Sequence, residues 1–212
     1  MRQRVLKNKE EINEENKAYI VSDPKERKGD WQALFPNDQP LYLEIGSGKG
    51  QFITNMALTH PDRNYIACEG GINIYPRILQ KAGALTLPNL MVITEYIINP
   101  ADYFAYGDLS GVYLNFSDPW KKARYAHRRL TYYEKLNQYK QILKPGSTLE
   151  FKTDNDELFD FSLEQLKLAD LKADYITRDL HSSPLAEDNI QTEYEQKFAA
   201  AGKHINYLRI VF

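Results

Sequence analysis

The sequence predicts an α/β protein whose mostly parallel sheet is covered by helices on both faces. Three observations carry this. Short apolar runs alternate with stretches of helical periodicity from residue 41 onward, the pattern of βαβ units. A glycine-rich segment, Gly46-Ser47-Gly48-Lys49-Gly50, separates the first run from the first helix. The unusual polar segments (46–50, 69, 117–120 and 152–154) all fall at predicted strand C-terminal ends, where ligands bind in such sheets.

In chain order, Leu41–Ile45 is the first strand, and Phe52, Ile53, Met56 and Ala57 mark a helix that stops near Pro61. Tyr65–Cys68 is the second strand, Glu69 follows it, and a helix is expected around 72–82. Leu90–Ile93 and Gly111–Phe116 are the third and fourth strands. Thr131–Leu143 reads as a helix because Tyr132, Leu136, Tyr139 and Leu143 recur at helical steps. Ser147–Lys152 is the fifth strand and Asn155–Ala169 a helix. A strand near 172–180, a helix near 191–200 and a strand near 204–212 complete seven strands. Residues 1–30 read as a partly mobile extension, docked by Trp31, Leu34 and Phe35, and residues 31–212 as a single domain.

With 42% hydrophobic and 26% charged residues among 212, the chain has the balance of a folded globular domain. No apolar run approaches the ~18 residues of a membrane helix, and the charged start, MRQRVLKNKEEINEEN, lacks the apolar region of a signal peptide. A cytoplasmic protein with no membrane partner is expected. The one cysteine, Cys68, excludes a disulfide framework, and with only four histidines no metal site is expected.

The net charge of −2 conceals a segregation. Residues 1–9 carry Arg2, Arg4, Lys7 and Lys9 without an acid; residues 121–129 carry Lys121, Lys122, Arg124, Arg128 and Arg129, again without an acid. The rest of the chain holds 18 basic and 29 acidic residues. An acidic body with a concentrated basic patch steers a polyanion to one face.

The glycine segment fits neither common phosphate-binding pattern. A dinucleotide fingerprint needs G-x-G-x-x-G, but Gln51 occupies the third glycine position; a P-loop needs G-x-x-x-x-G-K-[ST], which is absent. The spacing E-x-G-x-G-x-G (Glu44, Gly46, Gly48, Gly50) resembles motif I of class I S-adenosylmethionine-dependent methyltransferases, with a Rossmann-like fold. Glu44 suits the cationic amino-acid part of that cofactor. Glu69, 19 residues after Gly50, can accept from both ribose hydroxyls, as the equivalent acid does in dinucleotide folds. The plain alternative is a tight βα turn and a surface acid.

Leu114-Asn115-Phe116-Ser117-Asp118-Pro119-Trp120 ends the fourth strand in the polar-Pro-aromatic form found in amino- and base-methylating enzymes. Proline fixes the turn, the polar residue faces the methyl group, and the aromatic flanks a planar base; a structural turn with a core tryptophan is the other reading. The basic run Lys121–Arg129 interleaves Tyr125 and His127 with its cations, which suits phosphates and stacked bases better than a mixed-sign solvated face.

Taken together, residues 30–212 resemble the bacterial tRNA (guanine-N7-)-methyltransferases. The likeness rests on Glu44–Gly50, Leu114–Trp120, Arg128-Arg129-Leu130-Thr131, Phe151-Lys152-Thr153-Asp154-Asn155 and Thr192–Phe198. It implies a class I fold with an antiparallel last strand, S-adenosylmethionine as cofactor, tRNA as partner, and methyl transfer to N7 of a variable-loop guanine by a monomer or homodimer. It places Glu44, Gly46, Gly48, Gly50, Glu69, Tyr96 and Asp118 at the cofactor, with Asp118 catalytic. Lys122, Asp154, Thr192, Glu193, Tyr194 and Glu195 would hold the guanosine; Arg124, Tyr125, His127, Arg128 and Arg129 would contact RNA. For Asp154 and Thr192–Glu195, helix capping is an independent reading compatible with the first.

The family usually reads Asp-Pro-Trp-Pro-Lys-Lys-Arg-His where this chain reads Asp118 to Tyr125 with Lys121 and Ala123, and has Asp or Asn where this chain has Tyr96. Gly70-Gly71 is also unusual for a helix start. The competing expectations are a catalytically weakened RNA-binding relative, or a methyltransferase acting on another RNA or a small molecule.

Overall fold

The computed structural model describes residues 6 and 8–212. Arg2, Arg4 and Lys7 of the first basic cluster lie outside them. The elements are α1 (Lys9–Glu15), β1 (Leu41–Ile45), α2 (Gln51–Thr59), β2 (Asn64–Cys68), α3 (Pro76–Leu85), β3 (Leu90–Ile93), β4 (Leu109–Asn115), α4 (Tyr133–Lys140), β5 (Leu143–Thr153), α5 (Asp156–Leu168), β6 (Tyr175–Thr177), α6 (Glu193–Ala200) and β7 (Asn206–Val211).

The strands form one sheet in the order β3-β2-β1-β4-β5-β7-β6. All neighbours are parallel except the two pairs made by β7. The chain order reverses between β1 and β4, which opens a crevice beyond their C-terminal ends. Alternate residues face opposite sides, and this separates two cores. Leu41, Leu43 and Ile45 join Leu136, Tyr139 and Phe159 on the α4/α5 side. Tyr65 and Ala67 join Phe52, Ile53, Ile78 and Leu79 on the α2/α3 side.

The described part of the N-terminal segment is packed on the body. Ile12 of α1 is buried against the α2/α3 core, Asn13 donates to the Tyr75 hydroxyl at 2.9 Å, and the Val21 amide donates to the Val92 carbonyl of β3. Trp31 and Phe35 are buried, Leu34 packs beside them, and the Trp31 indole donates to the Tyr103 carbonyl at 2.9 Å.

Several elements differ from their expected bounds: β4 begins at Leu109 instead of Gly111, β5 begins at Leu143 instead of Ser147, and three further differences have a local reason. The third helix begins at Pro76, not near 72. Proline is well suited to the first helical position, where its missing N–H has no partner to lose, and Gly71–Tyr75 forms a preceding turn closed by Ile74 and Tyr75 amides on the Gly71 carbonyl. Gly70 and Gly71 therefore lie outside the helix, and the helix penalty does not fall on them. The helix expected to reach Leu143 ends at Lys140; Pro145 drives Lys144 to extended backbone, and Leu143 already pairs with Leu109 of β4. The strand near 172–180 is only three residues, at the sheet edge, where short strands limit exposed pairing groups.

Candidate active site

The glycine segment leaves β1 toward α2 with all three glycines left-handed: φ is 82° at Gly46, 56° at Gly48 and 79° at Gly50. Any L side chain there carries a conformational cost. A Cβ on Gly46 or Gly48 would meet nothing within 4 Å, whereas one on Gly50 would lie 3.0 Å from Ile78. The first two glycines thus face open space and the third permits close packing of α2 against α3. Amides of Gly46 and Ser47 both donate to the Cys68 carbonyl, and the Ser47 hydroxyl accepts from the Cys68 amide at 3.1 Å. The loop is pinned to the end of β2.

Two carboxylates flank the loop. Glu44 is 2% exposed. Its Oε1 accepts from the Asn115 side-chain Nδ2 of β4 at 2.8 Å, and its buried Oε2 has no partner. Burial pushes this carboxyl up to about 7, against the opposing pull of Asn115, Ser47 and the Lys152 ammonium. Glu69 accepts from the Gly48 amide at 3.0 Å and the Gly71 amide at 2.8 Å. A carboxylate has about four acceptor sites, so two remain. Burial raises its pKa, the Gly71 and Gly48 amides oppose, and the nearby Asp118 charge raises it further.

Asp118 is exposed and lies just beyond β4. The same charge raises the Tyr194 phenol, after burial and Asp154. Asp118 therefore lies near both Glu69 and Tyr194, although 49 and 76 residues separate it from them in sequence. The turn that carries Asp118 is left-handed at Phe116 (φ 50°) and at Trp120 (φ 41°), neither of them glycine. Phe116 packs on Tyr194 with ring centres 5.3 Å apart.

Tyr96 is 69% exposed and its ring lies over Gly70: a Cβ at Gly70 would sit 2.5 Å from ring carbons. A Cβ at Gly71 would sit 2.5 Å from Ile74. The two unusual features, the tyrosine and the glycine pair, are thus one: the ring occupies the space that Gly70 vacates.

Thr192 caps α6. Its hydroxyl accepts from the Glu195 amide at 2.9 Å and the Glu195 carboxylate returns to the Thr192 amide, a capping box. Glu193 pairs with Lys49 of the glycine loop and Lys81 of α3, both at 2.8 Å. Burial pulls Glu193 up, but the two ammoniums outweigh it and hold its carboxyl below the ordinary range. Asp154 pairs with Lys203 at 2.9 Å; the cap of α5 is its neighbour Asn155, which accepts from the Leu158 amide.

Glu195, expected at the guanosine, is not accessible. It is fully buried and accepts from His181 at 2.7 Å and Asn189 at 2.6 Å, with the Lys152 ammonium at 3.4 Å. Lys152 itself is buried in β5, donates to the Ile190 carbonyl at 2.9 Å, and lies 5.0 Å from the Phe52 ring centre. Burial lowers its pKa against the pull of Glu195 and Glu150. The Glu44–Asn115 pair and the Lys152–Glu195 network were not assigned roles from the sequence. The available signal was a lysine within a predicted central strand, Ser147–Lys152, where an unpaired buried charge costs several kcal/mol.

The basic run forms a short 3-10 turn, Ala123–Arg128. Arg128 lies 4.9 Å from the ring centres of both Trp120 and Tyr125, and Arg124 lies 4.8 Å from Tyr125. These two arginines, His127 and Lys122 are exposed. Arg129 is not among them: half-buried, it donates from Nε to the Pro119 carbonyl at 2.9 Å and from Nη2 to the Trp120 carbonyl at 3.2 Å.

An open crevice at the switch point, a left-handed glycine loop and acids on β1, after β2 and after β4 define a Rossmann-like methyltransferase. The family model described as "Putative methyltransferase" matches residues 38–208. More closely, the chain is 49% identical over 191 residues to a tRNA (guanine-N(7)-)-methyltransferase of Latilactobacillus sakei subsp. sakei (strain 23K), covering 90% of each chain. It is 42% identical over 212 residues, all of both chains, to the enzyme of that name from Streptococcus gordonii (strain Challis). The chain belongs to the tRNA (guanine-N(7)-)-methyltransferase family. Among solved structures, the 16S rRNA methyltransferase KamB shares the fold with a TM-score of 0.65 at 14% identity, over 90% of this chain and 94% of that one.

Among the described residues no helix is long and apolar enough to cross a membrane, and no three His, Cys, Asp or Glu side chains are grouped to hold a metal ion.

Proposed function

We propose that this protein transfers a methyl group from S-adenosylmethionine to N7 of a variable-loop guanine in tRNA. The observation that carries the reading is the clustering of Glu44, Glu69, Asp118 and Tyr194 about the glycine loop at the strand C-terminal ends, in a chain 42–49% identical to enzymes named for this reaction.

The residues fit the cofactor. The partnerless, buried Glu44 Oε2 suits its ammonium group, the free acceptor sites of Glu69 suit its ribose, and the open faces of Gly46 and Gly48 admit a ligand to the backbone. Gly50 shapes the loop, and Tyr96 stands beside Glu69 as a wall for the adenine. When bound, the cofactor supplies an electrophilic methyl group on a sulfonium.

Guanine N7 carries an in-plane lone pair, so no residue has to remove a proton before attack. Alignment is the main task. Asp118 is the catalytic residue in this reading, acting by position and charge. Lys122, Asp154, Thr192, Glu193 and Tyr194 hold the guanosine, with carboxylates accepting from N1–H and the 2-amino group, the donors that distinguish guanine from adenine. Glu195 serves the same subsite from beneath by fixing Thr192. Arg124, Tyr125, His127 and Arg128 meet the RNA, where exposed cations release counterions; Arg129 belongs to the same run. Residues 1–30 act as an extension of a single methyltransferase domain, 31–212. The reading needs only one chain, so a monomer or homodimer suffices, in the cytoplasm where tRNA is found.

Incubation with unmodified tRNA and labelled cofactor, followed by mapping of the methylated base, tests the proposal. Label at N7 of one variable-loop guanine is the expected result. Label on another base, or none on any tRNA, overturns it.

A further inference from the structure

Arg128 and Arg129 are adjacent, carry the same charge and sit in the same basic run, yet their surroundings differ. Arg128 is exposed over two aromatic faces. Arg129 turns inward, with two guanidinium N–H groups spent on the consecutive carbonyls of Pro119 and Trp120, and its Cζ 4.1 Å from the ring centre of Phe161 on α5. Those carbonyls follow Asp118 directly.

The turn needs such a restraint. Phe116 and Trp120 bracket Asp118 with φ of 50° and 41°, and a left-handed non-glycine residue costs about 1–3 kcal/mol unless its surroundings enforce it. The base on which Arg129 stands is rigid: the Thr131 hydroxyl is 2.7 Å from that of Ser162, both buried, and the Tyr133 amide donates to Gln165 at 3.1 Å, tying residues 131–133 to α5.

We propose that Arg129 is a positioning residue for Asp118, holding the Asp118–Trp120 turn closed from α5, and not a phosphate contact. The inference rests on the methyltransferase reading for its kinetic consequence but not for its structural one. A planar fork can bridge two consecutive carbonyls while its face covers a ring; a lysine ammonium cannot do both.

Arg129→Ala and Arg129→Lys test this against Arg128→Ala. Displacement of a reacting group by about 1 Å costs on the order of 10²-fold, so both Arg129 variants are expected to lose roughly 100-fold in kcat. Their KM for tRNA should stay within about threefold of the parent and the salt dependence of tRNA binding should not change. Added ethylguanidinium should partly restore Arg129→Ala. Trp120 provides a readout independent of turnover: Trp31, the other tryptophan, is buried, so acrylamide quenching reports the turn and should rise in both variants. Recovery of kcat by Arg129→Lys would show that charge alone matters and would overturn the proposal. So would unchanged kcat with raised KM and a salt slope lower by about 0.7–0.9, or quenching identical to the parent. Should Arg129→Ala not fold, Arg129→Lys, which keeps the alkyl cover on Phe161, decides alone. A parent protein that methylates no tRNA but shows the quenching change would defeat the functional reading and leave the structural one intact.

Discussion

Beyond β1 the chain turns through three left-handed residues, all of them glycine; beyond β4 it turns through two, Phe116 and Trp120, neither of them glycine. Both turns approach Glu69, the first through the Gly48 amide and the second through Asp118. Glycine adopts this conformation without strain, and leaves bare backbone against which a ligand can lie. The Asp118 turn keeps its aromatic side chains, one packed on Tyr194 and the other under Arg128, and accepts the strain. The glycine turn keeps empty space around Gly46 and Gly48, and the Asp118 turn keeps walls. The first therefore encodes its shape locally, whereas the second depends on Arg129, Phe161 and α5 to hold it.

The comparison predicts different failures for the two turns. The largest is expected for Asp118→Ala: kcat falls by on the order of 10³-fold, with cofactor binding by calorimetry changed by only a few-fold and the thermal transition retained. Turnover like the parent's would remove Asp118 from the chemistry.

Next, Gly50→Ala should cost about 3 kcal/mol of stability, combining left-handed strain with the 3.0 Å approach to Ile78. Gly48→Ala, facing open space, should cost about 1 kcal/mol while weakening cofactor binding. Denaturant titrations of the pair separate packing from ligand access. Equal stability losses would contradict the division of labour among the glycines.

Glu44 supplies a pH-dependent contrast with the exposed Asp118. Burial holds its carboxyl up to about 7, above its unfolded value near 4.5. The native state therefore binds the proton more tightly than the unfolded chain does. Its contribution to stability is full below about 4.5 and is lost as pH rises through about 7. Glu44→Gln should raise the Tm of the cofactor-free protein at pH 8 by about 5 °C, and should abolish the rise in cofactor affinity expected of the parent between pH 6 and 8. A lower Tm at pH 8 would show that the carboxylate is satisfied in the free protein.

The smallest effect is reserved for Arg128→Ala. It should raise the tRNA KM about three- to tenfold and lower the salt slope by about one, with kcat nearly intact. Comparison with Arg129→Ala then asks whether two adjacent arginines divide between binding and positioning.

Much of this was legible beforehand. The seven strands, their order of appearance and the polar segments at their C-terminal ends follow from apolar runs of four to seven residues broken by glycine, proline and acids. The E-x-G-x-G-x-G spacing marks the left-handed loop after β1 because a glycine requirement is a backbone property, and backbone requirements are local. Gly70 and Gly71 looked anomalous only while α3 was expected to begin near 72; with its start at Pro76 they become the space beneath Tyr96 and beside Ile74.

What the tertiary structure alone decided is where identical chemistry becomes different function. By itself the sequence determined an α/β fold with an acid-flanked glycine loop, an Asp-Pro-Trp turn and a concentrated basic run. It could not separate Arg129 from Arg128, or the buried Glu195 from the accessible Glu193, because a side chain's role depends on which distant elements surround it. Arg129 meets Phe161 of α5 across 32 residues, and Lys152 meets Glu195 across 43. Packing of helices on the sheet sets those encounters, and with them which charges are spent inside the protein and which remain for a ligand.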